Sequence, residues 1–216
     1  MSPSFILGPR LNTILELVKQ VQQHNLHTPY PYIWDCCCDH GYLGVKILKE
    51  NLCEKLIFVD QVAHIMNQLE ARLAPFSTGK HVLITADAGD LCFDPMLRHL
   101  VILAGVGGES IVDIVQSIER KHPNVQIDYL FCPSASQSSL RQYLISEGYH
   151  LLFEKIACEK KRYYEILFVQ RKIAGGEINK IPLISTLWDT DNPGHQKHLR
   201  KMARHEQLKV NGVNKG

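Results

Sequence analysis

Short apolar runs alternate with amphipathic helical segments along most of this chain, and this alternation constrains the fold more than any other feature. The apolar runs predict strands over residues 32–38, 56–59, 81–85, 100–103 and 129–131. Apolar residues at helical spacing predict helices over 11–23, 42–50, 63–73, 109–120 and 138–147. A strand–helix pair repeated five times predicts a mostly parallel sheet with helices on both faces.

A second pattern follows near the end of the chain. Two apolar, aromatic runs over 149–156 and 163–170 flank the charged segment Glu159-Lys160-Lys161-Arg162, which predicts a β-hairpin. The fold class is therefore α/β, with a seven-stranded, mostly parallel sheet that ends in an antiparallel hairpin. We assign residues 1–172 to this domain. We assign 173–216 to a linker and a short basic helical tail with a helix around 197–208.

Composition places the chain among ordinary globular proteins. It has 216 residues, 45% hydrophobic and 21% charged, and a formal net charge of +2. That charge alone does not indicate a nucleic-acid partner. The last 22 residues, however, carry six bases against Glu206: Lys197, Arg200, Lys201, Arg204, Lys209 and Lys215. These bases form either a solvated helix face or a contact surface for nucleic acid.

The cysteines favour a reducing compartment. There are seven, three of them consecutive (Cys36, Cys37, Cys38), without regular spacing or a signal peptide. No apolar run has the ~20 residues that a membrane helix needs, so we expect a cytoplasmic protein, with no membrane association and no obligate protein partner evident. Adjacent cysteines on a strand point to opposite faces, and the other four cysteines show no paired spacing, so we predict no metal site. We also expect no catalytic thiol.

Four acids stand where the predicted strands end. Asp35 and Asp39 flank the first turn, Asp60 ends the second strand, and Asp87 follows the third. Ligands of open parallel sheets bind beyond these carboxyl ends. A carboxylate at Asp60 suits the two hydroxyls of a ribose, and one at Asp87 suits the exocyclic amine of an adenine. Acids at the first turn suit the cationic end of an amino acid.

These acids favour S-adenosylmethionine over a dinucleotide. A sulfonium and an ammonium attract carboxylates, whereas a pyrophosphate would be repelled by them. The first turn also keeps only Gly41, with Gly44 one helical turn later, so the dinucleotide fingerprint is absent. The acids are alternatively helix caps or solvated side chains. The glycines after the fourth strand, Gly105, Gly107 and Gly108, allow close approach of a flat group or form a plain tight turn.

Several stretches resemble the bacterial tRNA (adenine-N1)-methyltransferases that act at position 22. The matching stretches run in register from Leu7 to Arg171: Leu7-x-x-Arg10-Leu11, Asp35-x-x-x-Asp39-His40-x-Tyr42-Leu43, Leu103-Ala104-Gly105-Val106-Gly107-Gly108, Leu140-Arg141-Gln142-Tyr143-Leu144 with Glu147-Gly148-Tyr149, and Tyr164-Glu165-Ile166-Leu167. The resemblance implies a Rossmann-like methyltransferase fold, bound S-adenosylmethionine and a tRNA substrate.

The resemblance also implies residue roles. Catalysis falls to Asp39, which would stabilise the cationic product or bind the adenine amine, and to His40, which would orient it or bond backbone. The implied cofactor residues are Asp35, Cys37, Gly41, Asp60, Gln61, Asp87, Ala88 and Gly105. The implied substrate residues are Arg10, Tyr42, Gly107, Gly108, Pro133 and Ser134.

The chain departs from the family pattern in three places. Cys37 stands where the family usually has glycine, Ser134 stands where it tends to have asparagine, and the C-terminal extension is short. Two alternatives therefore stay open: a methyltransferase acting on a non-RNA substrate, and a non-catalytic RNA-binding module on the same fold.

Overall fold

The computed structural model describes residues 6–23, 29–76, 79–171 and 179–213. The strands are Tyr32–Cys36 (β1), Lys55–Asp60 (β2), His81–Thr85 (β3), Arg98–Ala104 (β4), Gln126–Cys132 (β5), His150–Glu159 (β6) and Arg162–Gln170 (β7). The helices are Pro9–Gln23 (α1), Tyr42–Lys49 (α2), Ala63–Leu73 (α3), Gly108–Lys121 (α4), Gln137–Ser146 (α5) and Pro193–Val213 (α6). None of the helices in these ranges has the length and apolar character that a membrane crossing requires.

The seven strands form one sheet in the order β3-β2-β1-β4-β5-β7-β6. The first five strands are parallel, while β7 pairs antiparallel with both β5 and β6. The predicted fold class, including the antiparallel hairpin, is confirmed. Between β3 and β4, where no helix was predicted, the chain forms the short 3₁₀ turn Ala88–Asp90.

Both faces of the sheet are buried at its central strands, which explains why β1, β2, β4 and β5 are almost continuously apolar. Side chains such as Ile33, Phe58 and Ile102 belong to a core shared with α1, α2 and α3. Their neighbours Trp34 and Val59 belong to the opposite core, under α4 and α5. In the sheet, β2 lies on one side of β1 and β4 lies on the other, so the strand order reverses at β1. A crevice opens at such a point, beyond the carboxyl ends of β1 and β4.

The segment predicted as a linker lies against the sheet in its described part. Trp188 is buried and its Nε1 donates to Glu165 Oε1 at 2.9 Å. Arg141, fully buried, donates from Nε to Glu165 Oε2 at 2.9 Å and from Nη1 to the Pro182 carbonyl at 2.8 Å. Two of the stretches that carry the family resemblance therefore meet in a buried ion pair that also fastens the C-terminal segment.

Candidate active site

A cavity of about 420 Å³ opens at the carboxyl edge of the sheet, around the ends of β1, β2, β3 and β4. Its polar lining comes from the end of β2, from the turns that follow these strands and from the start of α1: Arg10, Cys37, Asp39, Asp60, Gln61 and Asp87. Carboxylates outnumber the single arginine on this wall. A cationic ligand is therefore favoured over an anionic one.

Asp60 holds the first turn together and faces the cavity at the same time. Its Oδ2 accepts a hydrogen bond from the Asp39 backbone N–H at 3.0 Å, and its Oδ1 accepts one from the Val62 N–H at 3.0 Å. Each carboxylate oxygen can accept a second bond. The two sequence interpretations of this acid, a cap and a ligand group, are therefore compatible.

Asp87 combines the same two features beside an apolar surface. Its Oδ1 accepts from the Gly89 N–H at 2.7 Å and so caps the 3₁₀ turn. The cavity next to it is lined by Gly105 and by apolar side chains from β2, the 3₁₀ turn, β4, α4 and the loops beside them: Val59, Ala86, Ala88, Ala104, Val106 and Ile114. A flat aromatic ring with an amine on its edge fits such a surface.

The turn after β1 takes left-handed backbone conformations at three residues, of which two have side chains. Cys37 has φ 55°, Asp39 has φ 49° and Gly41 has φ 66°. Such conformations are uncommon for residues other than glycine, which accounts for the glycine that the family usually has at the Cys37 position. Burial, with the Asp60, Asp35 and Asp87 carboxylates, raises the pKa of the Cys37 thiol to about 11. The thiol is therefore protonated at neutral pH and is no nucleophile.

Asp39 places an exposed carboxylate on the cavity wall. Its side chain is 68% exposed, and its Oδ1 lies 3.7 Å from His40 Nε2. His40 itself lies off the wall, where its ring is 5.8 Å from that of Tyr42. Arg72 donates to the His40 carbonyl and stacks over Tyr42 at 4.6 Å. His40 therefore lies next to Asp39 but off the cavity wall, where its ring can orient the Asp39 carboxylate.

Asp35 lies beneath the turn and not on the cavity wall. It is 4% exposed, and its Oδ2 accepts from the Gly44 N–H at 3.0 Å. A Cβ at position 44 would come within 2.2 Å of the Phe58 ring, so Gly44 serves the close approach of α2 to the sheet. Burial raises the pKa of Asp35 to about 7, against the lowering effect of the Gly44 hydrogen bond.

Arg10 reaches the opposite side of the cavity from α1. Its guanidinium lies over the Tyr164 ring at 5.3 Å and 4.0 Å from a Glu159 oxygen. Its Nη1 would be 3.4 Å from a Cβ at Gly105. Contacts to β6 and β7 thus hold this cation at the cavity rim.

The structure brings together one half of the predicted site residues and separates the other half. The residues on the wall are Arg10, Cys37, Asp39, Asp60, Gln61, Asp87, Ala88 and Gly105. Off the wall, as the described residues form it, lie Asp35, His40, Gly41, Tyr42, Gly107, Gly108, Pro133 and Ser134. The Ser134 N–H instead donates to the Val106 carbonyl at 2.9 Å, and the Gly108 N–H to the Ala135 carbonyl at 2.8 Å.

Sequence reasoning missed most of the apolar side chains on the wall and assigned only Ala88 to the site. Ile114 was predicted only as part of an amphipathic helix, and Val59 only as a strand residue. Ala104 was named only within the glycine-rich stretch that carries the family resemblance. Their one signal was position: Val59 and Ala104 stand at or next to the end of a strand, and Ile114 lies in the second turn of the helix α4. Glu159, which reaches Arg10 from the far hairpin, had no signal beyond its charge.

A family model described as a methyltransferase domain matches residues 7–167. A Mycoplasma pneumoniae protein named "Putative tRNA methyltransferase" is 26% identical over 163 residues, which is 75% of this chain and 70% of that protein.

Two solved structures share the fold over 98% of this chain and 88% of their own. The M. capricolum TrmK in complex with S-adenosyl-homocysteine has a TM-score of 0.69 at 20% identity. The B. subtilis m1A22 tRNA methyltransferase TrmK has a TM-score of 0.73 at 16% identity. With the family model covering three quarters of the sequence, the chain belongs to the methyltransferase domain family.

Proposed function

We propose that this methyltransferase transfers the methyl group of S-adenosylmethionine to N1 of an adenine in tRNA. The observation that carries the proposal is the cavity at the carboxyl edge of the sheet, with three carboxylates and an apolar surface on its wall. The resemblance in sequence to the adenine-N1 enzymes and the names of the relatives support the choice of tRNA.

The residues present fit S-adenosylmethionine. About 420 Å³ lies within the usual range of small-molecule sites, roughly 300–1,000 Å³. Asp60 would accept bonds from the ribose hydroxyls, Asp87 would accept one from the adenine amine, and Ile114 would pack against the purine. Bound there, S-adenosylmethionine supplies a methyl group on a positively charged sulfur.

The chain's own contribution to the reaction is positioning. Adenine N1 carries its lone pair in the ring plane and loses no proton on methylation, so the protein needs no general base. Holding two reactants in line supplies several kcal/mol, roughly 7–11 in the best cases. The base becomes a cation, and the exposed carboxylate of Asp39 stabilises that charge or holds the adenine amine. The base must leave its stack to reach the cavity.

The cellular compartment and the macromolecular partner of the protein follow from the same proposal. All seven cysteines are free, and a tRNA substrate is met in the cytoplasm. We place the protein there, with tRNA as its macromolecular partner.

The test is transfer of labelled methyl from S-adenosylmethionine to unmodified bulk tRNA, followed by nucleoside analysis. N1-methyladenosine in the digest is the expected result. If no label is transferred, a calorimetric titration with S-adenosylmethionine separates the alternatives. Binding without transfer would replace tRNA by another substrate, and no binding would make the chain a non-catalytic module.

A further inference from the structure

The turn that joins β6 to β7 projects beyond the edge of the sheet where the cavity opens. The β5–β7 pairing ends at Phe131 and Leu167, and β5 itself ends at Cys132. Strand β7 begins at Arg162, so four of its residues extend past the end of β5. At about 3.3 Å per residue the turn stands roughly 13 Å beyond that edge.

An ion pair fixes this turn beside the cavity. Glu159, the last residue of β6, lies 4.0 Å from Arg10, which is part of the cavity wall. Tyr164 on β7 contacts the same guanidinium with its ring face. The turn is therefore held at the rim by two contacts, and the charge of Glu159 is balanced by Arg10.

Three exposed bases follow Glu159 directly: Lys160, Lys161 and Arg162. Among the residues that the structure describes, no ion pair involves any of them. The cavity beneath carries carboxylates. The rim thus presents positive charge to solvent, while the interior of the cavity presents negative charge. Such an arrangement favours a polyanionic ligand at the rim and a cationic ligand inside the cavity.

The two lysines also occupy a backbone conformation that disfavours them. Glu159 pairs with Arg162, which leaves a two-residue hairpin loop. Lys160 has φ 47° and Lys161 has φ 63°, the left-handed values of a type I′ turn. Asn-Gly is the favoured sequence for this turn. Lysine is unfavourable at both positions of this turn, so folding does not explain why lysines stand there. We take their positive charge to serve a function.

We propose that Lys160, Lys161 and Arg162, which we call the hairpin tip, bind the RNA phosphates that flank the adenine entering the cavity. This inference rests on the proposed function and adds to it the surface that holds the RNA strand at the rim. Phosphate contacts of this kind position a strand without reading its sequence. They also make binding depend on salt, by roughly 0.7 to 0.9 in the slope of log K against log salt per contact.

The test replaces both lysines by the sequence that the turn favours, in the double variant Lys160→Asn/Lys161→Gly. This variant removes two charges and relieves the backbone, so it folds at least as well as the wild type. The matched control, Lys49→Gln/Lys80→Gln, removes two charges at the opposite edge of the sheet. Dissociation constants for an unmodified tRNA transcript are measured over a range of salt, together with methyl transfer and the calorimetric Kd for S-adenosylmethionine.

The tip variant is expected to bind the transcript roughly tenfold more weakly at about 0.1 M salt, with a salt slope smaller by about 1.5. Its Kd for S-adenosylmethionine stays unchanged, and the control resembles the wild type. Equal RNA affinity in the tip variant and the wild type would overturn the proposed role of the hairpin tip, and so would equal losses of affinity in the tip variant and the control. Neither result would affect the proposed function. A wild type that neither binds nor methylates the transcript would overturn the proposed function as well.

Discussion

The carboxylates of the cavity divide into two kinds according to what their oxygens already hold. Asp60 accepts two backbone hydrogen bonds and Asp87 accepts one, so each is fixed in place before any ligand arrives. Asp39 is largely exposed, and among the described residues its carboxylate forms an ion pair only with the His40 ring. The fixed oxygens of Asp60 and Asp87 suit a cofactor that binds in one orientation. The exposed carboxylate of Asp39 suits contact with the adenine that is methylated.

This division predicts different kinetic effects for Asp39 and Asp60. Asp39→Asn removes charge stabilisation in the transition state, so kcat falls about 100-fold, while the calorimetric Kd for S-adenosylmethionine is unchanged. Asp60→Ala removes an acceptor for the cofactor, so that Kd rises roughly 30-fold.

Both variants are compared with Asp113→Asn, which changes an exposed acid on α4. A wild-type kcat in Asp39→Asn would remove this residue from the mechanism. A wild-type Kd in Asp60→Ala would place the cofactor elsewhere in the cavity.

Asp35 gives a pH dependence of stability with a defined sign. Burial raises its pKa to about 7 in the folded chain, whereas in the unfolded chain the carboxyl ionises near pH 4. Between these values unfolding releases a proton, so the free energy of unfolding falls as pH rises. Asp35→Asn keeps an oxygen for the Gly44 N–H and cannot ionise. Its stability therefore stays flatter over this window and exceeds that of the wild type at about pH 8, by on the order of 2 kcal/mol.

Urea unfolding at about pH 5 and pH 8 measures this difference. Parallel pH profiles for Asp35→Asn and the wild type would mean that the buried carboxyl is ionised in the folded chain.

At the scale of elements, the glycine-rich turn after β4 joins two functions. A Cβ at Gly108 would lie 2.2 Å from the Ser136 carbonyl oxygen, so α4 can begin against the β5–α5 loop only with glycine there. A Cβ at Gly107 would meet no atom within 4 Å. The two neighbouring glycines therefore differ. Packing requires a glycine at position 108, whereas the space beside Gly107 is open to a ligand.

We expect Gly108→Ala to lower the free energy of unfolding by roughly 1–3 kcal/mol through overpacking. Gly107→Ala costs less than about 1 kcal/mol, the usual range for a helix cap. Urea denaturation measures both. If Gly107 lines the side of the target base, the KM for tRNA rises in Gly107→Ala while its stability is retained. Equal loss of stability in the two variants would contradict the packing argument.

The sequence predicts elements well where burial makes the pattern regular, and less well where polar side chains are paired across the fold. Strand β4 was predicted over 100–103 but begins at Arg98. Arg98 is compatible with a strand because it pairs with Asp128 on β5, and buried His99 accepts a bond from the Trp34 ring N–H at 3.1 Å. Such partners lie far away in sequence. The same limit hid the Glu159–Arg10 pair at the cavity.

At the scale of the whole molecule, the net charge of only +2 conceals a local separation of charge around the cavity. Acids line the cavity, and bases occupy the hairpin tip and α6. Helix α6 begins next to the hairpin: its His195 ring lies 4.9 Å from the Tyr163 ring and 5.1 Å from the Trp188 ring. The basic helix is thus attached to the same side of the molecule as the rim of the cavity.

This arrangement predicts that α6 contributes to RNA binding through charge alone. Four bases are exposed on its described surface: Lys197, Arg200, Lys201 and Arg204. Changing all four to glutamine leaves His195 and Trp188 in contact, so thermal stability and cofactor affinity stay unchanged. The salt slope of tRNA binding falls by about 3 if each base meets a phosphate. When this variant is combined with the hairpin-tip variant, the two reductions in slope add if one RNA molecule spans both surfaces. An unchanged slope in the α6 variant would leave the helix as solvated surface and confine RNA binding to the rim.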